Sequence, residues 1–430
     1  MRIKIFSISI VLSAVVLAGC SSRRNAGGAT IRYVERILSD TTSAVFKSFS
    51  TVTRDDVAGS ITVIGSPREA LAVTEGLLTY DIHNNISGTH RPDGLPDFSG
   101  EVIAPLVDIA NTPYSDYLSI GNEAFLKELN VRNFLWAMDT VAFQSPFNTD
   151  VPVFKQKAKI VIFASSYASM YGYREIDTLC TVAKSVVPVF APVQAMAEYV
   201  FSRREGPQGI AAWVSPEVYQ DGIYQNVLAR ELSSRGDAGS AFSVISPEAD
   251  SLDADVNPLT YRGDYNVRSK FLNLLDRYMD EDVTDRLTCL MLDDVTVSPD
   301  ALMQVVDEIM NTDEDNLLVY RNMLASDFEV VTPVGAIAEL CYSYLREYNL
   351  FTHRIAYPDM KPYVTAPEAD LNETDYDVDG SLAYAYKYSR AEDRPSPGYV
   401  VVQMRDRYVS DAILDMISKQ YPKTFSLYVR

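Results

Sequence analysis

The chain has 430 residues, 47% hydrophobic and 22% charged, with 38 Lys and Arg against 58 Asp and Glu for a formal net charge of −20. That composition is globular, and the length gives room for two or three domains with substantial cores. The acidity argues against nucleic-acid binding because it repels phosphate backbones, and three histidines leave few metal ligands or near-neutral proton carriers.

Arg2 and Lys4 open the chain, and residues 5–16 are apolar apart from Ser7, Ser9 and Ser13. The run is too short to span a bilayer and has the length of a signal-peptide core. It ends in Leu17-Ala18-Gly19-Cys20, which resembles the lipobox of bacterial lipoproteins. The resemblance implies cleavage before Cys20, with small residues admitting the processing enzyme, and lipidation of the Cys20 thiol. The outer membrane, reached through lipid on Cys20, is then the first expected partner. Ser21 is similar to an outer-membrane sorting signal, and residues 21–25 lack the acidic run that sends some lipoproteins to the cell surface. The expected location is the cell envelope, on the periplasmic face of the outer membrane.

Downstream, β-branched runs predict strands over 61–64, 134–138, 160–163, 187–190, 210–214, 242–245, 289–292, 317–320, 328–331, 400–403 and 425–428. Amphipathic stretches predict helices over 69–80, 176–184, 193–204, 219–235, 267–287, 301–311, 335–348 and 410–420. The runs at 187–190 and 289–292 are nearly all apolar, as in a parallel sheet covered on both faces. Ser-Pro or Thr-Pro at 66–67, 215–216, 246–247, 298–299 and 332–333 follows a predicted strand. The hydroxyl suits an N-cap and the proline a first helical position, and Ser66 with Glu69 forms a capping box. Such turns mark the carboxyl ends of parallel strands, where open α/β sheets bind ligands.

Residues 209–249 are similar to the strand, long helix and strand that open the second lobe of type I periplasmic binding proteins, and 289–309 resembles a later strand-to-helix passage. The implied fold is α/β, with two open, mostly parallel Rossmann-like lobes and insertions at 80–122 and 367–397. The division is a signal peptide (1–19), a lipid-anchored tether and N-terminal segment (20–55), a first lobe (56–205) and a second lobe (206–366). Residues 367–430 form an acidic insertion and a C-terminal βαβ unit returning to the lobes.

Strand-end positions supply the candidate ligand-binding residues Ser66, Asp139, Ser165, Ser166, Asp293 and Asp294. The loop 81–101 gathers His83, His90, Asp93, Asp97 and Glu101, residue types that suit a divalent metal such as zinc or manganese. Residues 375–380 match the first half of a calcium loop, but Tyr386 stands where the bidentate Glu belongs. Tyr384, Tyr386 and Tyr388 alternate as on one strand face, and His353 lies near a helix end. Cys180, Cys289 and Cys341 sit in apolar stretches and read as core thiols. No GxSxG, P-loop, GxGxxG or HExxH pattern occurs, which weighs against an enzyme. The sequence reading is a lipoprotein that binds a small molecule or envelope component between two lobes. Its alternatives are a metal-dependent hydrolase using the 83–101 loop and an assembly lipoprotein with a protein partner.

Overall fold

A computed structural model describes residues 31–53, 57–204, 208–235, 241–246, 263–280, 286–294, 297–352 and 358–429. The signal segment, Cys20 and His353 lie outside the described residues. The chain enters through α1 (Arg32–Ser39) and α2 (Ala44–Ser50), then alternates β1 (Ser60–Gly65), α3 (Pro67–Thr79) and β2 (Val102–Val107). Two helices, α4 (Ser115–Ser119) and α5 (Glu123–Ala137), lead to the hairpin β3 (Val141–Phe143) and β4 (Pro152–Phe154). Next come β5 (Ala158–Phe163), α6 (Ser166–Met170), α7 (Tyr173–Ala183), β6 (Val189–Phe190) and α8 (Pro192–Arg203).

The second lobe begins with β7 (Gly209–Trp213), α9 (Pro216–Gln220), α10 (Ile223–Arg235) and β8 (Ala241–Ile245). It continues through α11 (Gly263–Asp280), β9 (Leu287–Leu292), α12 (Pro299–Met310), α13 (Asp315–Met323) and β10 (Leu324–Val331). From there α14 (Pro333–Glu347) crosses back to the first lobe. The chain closes with β11 (Asp359–Met360), β12 (Tyr363–Pro367), α15 (Tyr384–Ser389), β13 (Tyr399–Gln403), α16 (Asp411–Gln420) and α17 (Pro422–Tyr428).

The larger sheet has the order β4-β3-β13-β12-β2-β1-β5-β6, with β11 also on β2, and the smaller has the order β10-β9-β7-β8. Every pairing in the smaller sheet is parallel, while β12–β13 and β3–β4 are the antiparallel pairs of the larger. This is a mixed, mostly parallel α/β fold in two lobes. The second lobe is an excursion within the first, because β11, β12 and β13 return to the larger sheet. Residues 359–367 therefore leave the predicted second lobe, and the C-terminal segment is a strand and two helices rather than βαβ.

Three predicted strands are helical instead: 134–138 ends α5, 317–320 lies within α13, and 425–428 lies in α17, which Pro422 opens at its first turn. In α5 buried residues occur on every face, so no helical stripe marks it, and a short apolar run there reads equally well as a strand. Conversely β2 lies inside the presumed insertion 80–122. Its sequence VIAPLV carries Pro105, which reads against a central strand. The tyrosines at 384, 386 and 388 sit on α15, not on a strand.

One apolar core runs through both lobes. In the smaller sheet Ile210, Ala212, Cys289, Met291 and Val331 face this shared core, while Ala211, Trp213, Leu290 and Leu292 face a separate core with α11 and α12. The alternation follows from the two-residue period of a strand. On the shared side Ile337, Ala338 and Cys341 of α14 and Val193, Met196 and Val200 of α8 join Ile61, Val63 and Ile160 of the larger sheet. Cys180, Cys289 and Cys341 are free and buried, as expected of core thiols. A third core lies between β2, β12, β13 and α16.

A common core predicts a common unfolding transition. Trp136 reports on the first lobe and Trp213 on the second, so in the Trp136→Phe and the Trp213→Phe protein alike the urea midpoint by fluorescence should coincide with that protein's own midpoint by circular dichroism. Ile337→Ala should cost about 2–5 kcal/mol and lower both midpoints together. Two separate midpoints would contradict the shared core.

Candidate functional site

The carboxyl ends of β1, β5 and β9 converge. At the end of β1, Gly65 lets the neighbouring strand approach: an added Cβ would stand 3.1 Å from the Ala164 Cβ. Ser66 then caps α3 and donates through Oγ to Glu69 Oε2 at 2.5 Å, and its backbone N–H reaches the same oxygen at 3.3 Å. At the end of β5 the chain turns through Ser165 into α6, whose first residue is Ser166. Ser166 donates through Oγ to Asp293 Oδ2 at 2.5 Å. Asp293 is held at the end of β9 by its N–H, which donates to the Trp213 carbonyl of β7 at 2.9 Å. The two lobes thus touch through a serine of one sheet and a carboxyl of the other.

Aromatic hydroxyls frame this junction. Tyr224 on α10 is fully buried and lies beside Ser166 and Asp293. Tyr167 donates to Asp221 Oδ2 at 2.6 Å, a second bond between the lobes, and Tyr114 donates to buried Asp108 Oδ2 at 3.0 Å. Ser165 and Ser166 are buried, whereas Ser66, Glu69, Asp293 and Asp294 keep part of their surface in solvent.

Burial pushes the Asp293 carboxyl up to about 7. The Ser166 and Tyr224 hydroxyls favour its charged form, and the charges of Glu69 and Asp294 oppose it. Glu69 is also raised by burial, against the hydroxyls of Ser66 and Ser165 that lie beside it. Two carboxyls pushed up by burial thus share one partly open junction, which makes it the candidate site.

Of the strand-end candidates, Ser66, Ser165, Ser166 and Asp293 meet here, with Asp294 adjoining. Asp139 does not. It follows α5 rather than a strand, is exposed, and accepts from the Thr140 N–H at 2.6 Å. Sequence reasoning missed Tyr224, Tyr114, Tyr167, Asp221 and Asp108 as neighbours of the site. A usable signal existed only for Asp108, once β2 is recognised as a strand that ends at Val107.

The 83–101 loop is committed to its own structure rather than to a metal. His83 bonds Glu339 Oε2 through Nε2 at 2.8 Å and stacks on Tyr342, with ring centroids 3.9 Å apart. His90 meets His83 edge-on. Asp97 accepts the N–H groups of Ile82 and His83, and Asp93 those of Asn85 and Leu95. Glu101 is fully buried in an ion pair with Lys159 at 2.6 Å and accepts from the Thr352 N–H. These carboxylates are spent on loop closure and charge pairing, which explains why so many polar residues gather there. Near the half calcium loop, Asp375 and Asp379 bond Asn372 and Ser381 in turns. Among the described residues no group of three or more His, Cys, Asp or Glu is arranged to hold a metal ion.

The fold and junction define a two-lobe, mostly parallel α/β protein with a polar contact between its sheets. No family model and no curated protein matches the chain. Among solved structures it is similar to glutamate racemase from Francisella tularensis subsp. tularensis in complex with D-glutamate. That likeness has 14% identity and a TM-score of 0.39, over 75% of this chain and 90% of that one. Glutamate racemase from Thermus thermophilus, in complex with beta-chloro-D-alanine, has 14% identity and a TM-score of 0.39, over 72% and 89%. Unliganded arylmalonate decarboxylase has 12% identity and a TM-score of 0.33, over 67% and 92%. These neighbours are two racemases and a decarboxylase, against the expectations of a small-molecule-binding function and of a chain that is not an enzyme.

The raised carboxyl makes stability depend on pH with a defined sign. Between about pH 4 and 7 the folded chain keeps a proton on Asp293 that the unfolded chain has released, so this group's contribution to stability falls as pH rises. Asp293→Asn should raise Tm at pH 8 and leave it nearly unchanged at pH 4. Calorimetry showing the same Tm change at both values would contradict the shift.

Proposed function

We propose that the chain is an enzyme that moves a proton at a small neutral or cationic substrate held where the two sheets meet, with Asp293 as the acid–base group. The observation that carries this reading is the 2.5 Å bond from Ser166 to Asp293, accepted by a carboxyl that titrates at about 7. A proton carrier works best when its pKa lies near the working pH. Ser166 bonds one oxygen of Asp293 and the Tyr224 hydroxyl lies beside the carboxyl, so both orient it. Glu69, held by Ser66, is the second carboxyl, and its different surroundings suit a division between proton donor and acceptor. The thiols take no part in this reading: Cys289 and Cys341 are buried, and burial pushes both well above the usual range.

Charge limits the substrate class. The charges acting most strongly on Asp293 are the carboxylates of Glu69 and Asp294, so an anion would be repelled. D-glutamate, named for the Francisella protein, is therefore not carried over to this chain. A hinged cleft of the periplasmic-binding-protein kind is also not part of the reading, because one apolar core spans both lobes.

The test is proton exchange followed by NMR in D2O, with a panel of neutral and cationic hydroxy and amino compounds. A substrate should exchange a C–H for C–D or convert to product, with a rate that bends near pH 7. Asp293→Asn should lower that rate by roughly 10²–10⁴-fold. Ser166→Ala should lower it less and displace the bend in the profile. An unchanged rate in Asp293→Asn would sink the assignment.

We further propose that Cys20 is lipidated and holds the chain at the outer membrane, supported by the order of charged, apolar and small residues before it. Cells given a clickable palmitate analogue should label the wild-type chain and not Cys20→Ser. Equal labelling of the two would refute the anchor.

A further inference from the structure

A cavity of about 690 Å³ opens at the far edge of the larger sheet, between α5, the β3–β4 hairpin and the segments flanking β12 and β13. Its residues are distinct from those of the Ser166–Asp293 junction. The apolar wall is Trp136, Phe143 and Phe147. Phe147 is 81% exposed, an unusual place for a phenyl ring that packs against nothing. The indole N–H of Trp136 is buried without an acceptor.

The polar groups give the cavity a sign. Its one guanidinium, Arg132, is already engaged: it donates to Glu128 at 2.7 Å and to the Arg394 carbonyl at 2.6 Å, and lies 4.2 Å over the Tyr33 ring. Asn133 is likewise spent, accepting from the Tyr399 hydroxyl at 3.1 Å. Three carboxylates remain, Asp150, Glu368 and Asp370, and of these Glu368 accepts a bond from Ser396. Carboxylates beside aromatic faces attract an ammonium group twice, by charge and by the negative face of each ring.

We infer that this cavity is a binding site for an organic amine, an ammonium group carried on an apolar body. The carboxylates take the ammonium, and Phe143 and Phe147 cover the apolar part; one face of Trp136 already carries the Lys155 ammonium, 4.3 Å from the ring centroid, so the indole borders the site. A sugar could stack on the same rings and donate hydroxyls to the carboxylates but carries no charge to be attracted, and an organic anion would be repelled.

The experiment titrates the purified chain with three probes, phenethylamine, phenylacetate and methyl β-glucoside, by calorimetry and tryptophan fluorescence. Phenethylamine should bind, phenylacetate at least about tenfold more weakly, and the glucoside not measurably. Phe147→Ala and Asp150→Asn alter exposed side chains and should each weaken phenethylamine roughly tenfold. Trp213 is buried in the other lobe, so the fluorescence change should vanish in Trp136→Phe. No amine binding, equal binding of phenylacetate, preference for the glucoside, a change that persists in Trp136→Phe, or wild-type affinity in Phe147→Ala and Asp150→Asn would each overturn the site.

Discussion

The geometry of this protein depends on α14. This helix leaves the last strand of the smaller sheet and lies against α3 and α8 of the first lobe, so both sheets bury apolar side chains in one core. Close packing transmits position: with Ile337, Ala338 and Cys341 fixed, the carboxyl ends of β5 and β9 come within one hydrogen bond of each other. A carboxyl in the turn of one lobe can then be governed by a serine and a glutamate in the turns of the other.

That contact works against stability, and its cost gives it meaning. Asp293 would be more at ease in water, where its charge would be solvated and far from Glu69. Elsewhere buried charges are met by an opposite charge or by several hydrogen-bonding groups. Glu101 has Lys159, and Lys159 also reaches the carbonyls of Val57 and Leu350. Arg390, almost wholly buried, is met by the Asn111 side chain and the Tyr117 hydroxyl as well as two carbonyls. Pairing of this kind closes loops and holds the fold. The junction instead sets carboxyl beside carboxyl, an arrangement suited to proton chemistry.

Much of the frame was legible in the residues. Ser-Pro and Thr-Pro turns located strand ends, and four of the six candidates drawn from such positions meet in the junction. The errors also have physical causes. Phe134 to Met138 looks like a strand because α5 is buried on nearly every side and so lacks a polar stripe. Val102 to Val107 was hidden by Pro105 and by the polar loop before it. Histidines and carboxylates in one loop looked like metal ligands, but local hydrogen bonds and a buried ion pair use the same residue types. Tyr224 offered no signal, because its place beside Asp293 depends on how α10 crosses between the lobes.

The return of β12 and β13 to the larger sheet bears on how the chain is made. Until residues 359–403 exist, β2 has a bare edge beyond β1, and the third core has only one wall. A chain emerging from its N-terminus cannot complete that sheet early, since the pairing of β2 with β12 spans more than half its length. Late closure leaves a long interval in which the incomplete sheet can join another chain's strand, so newly made protein depends on protection of that edge.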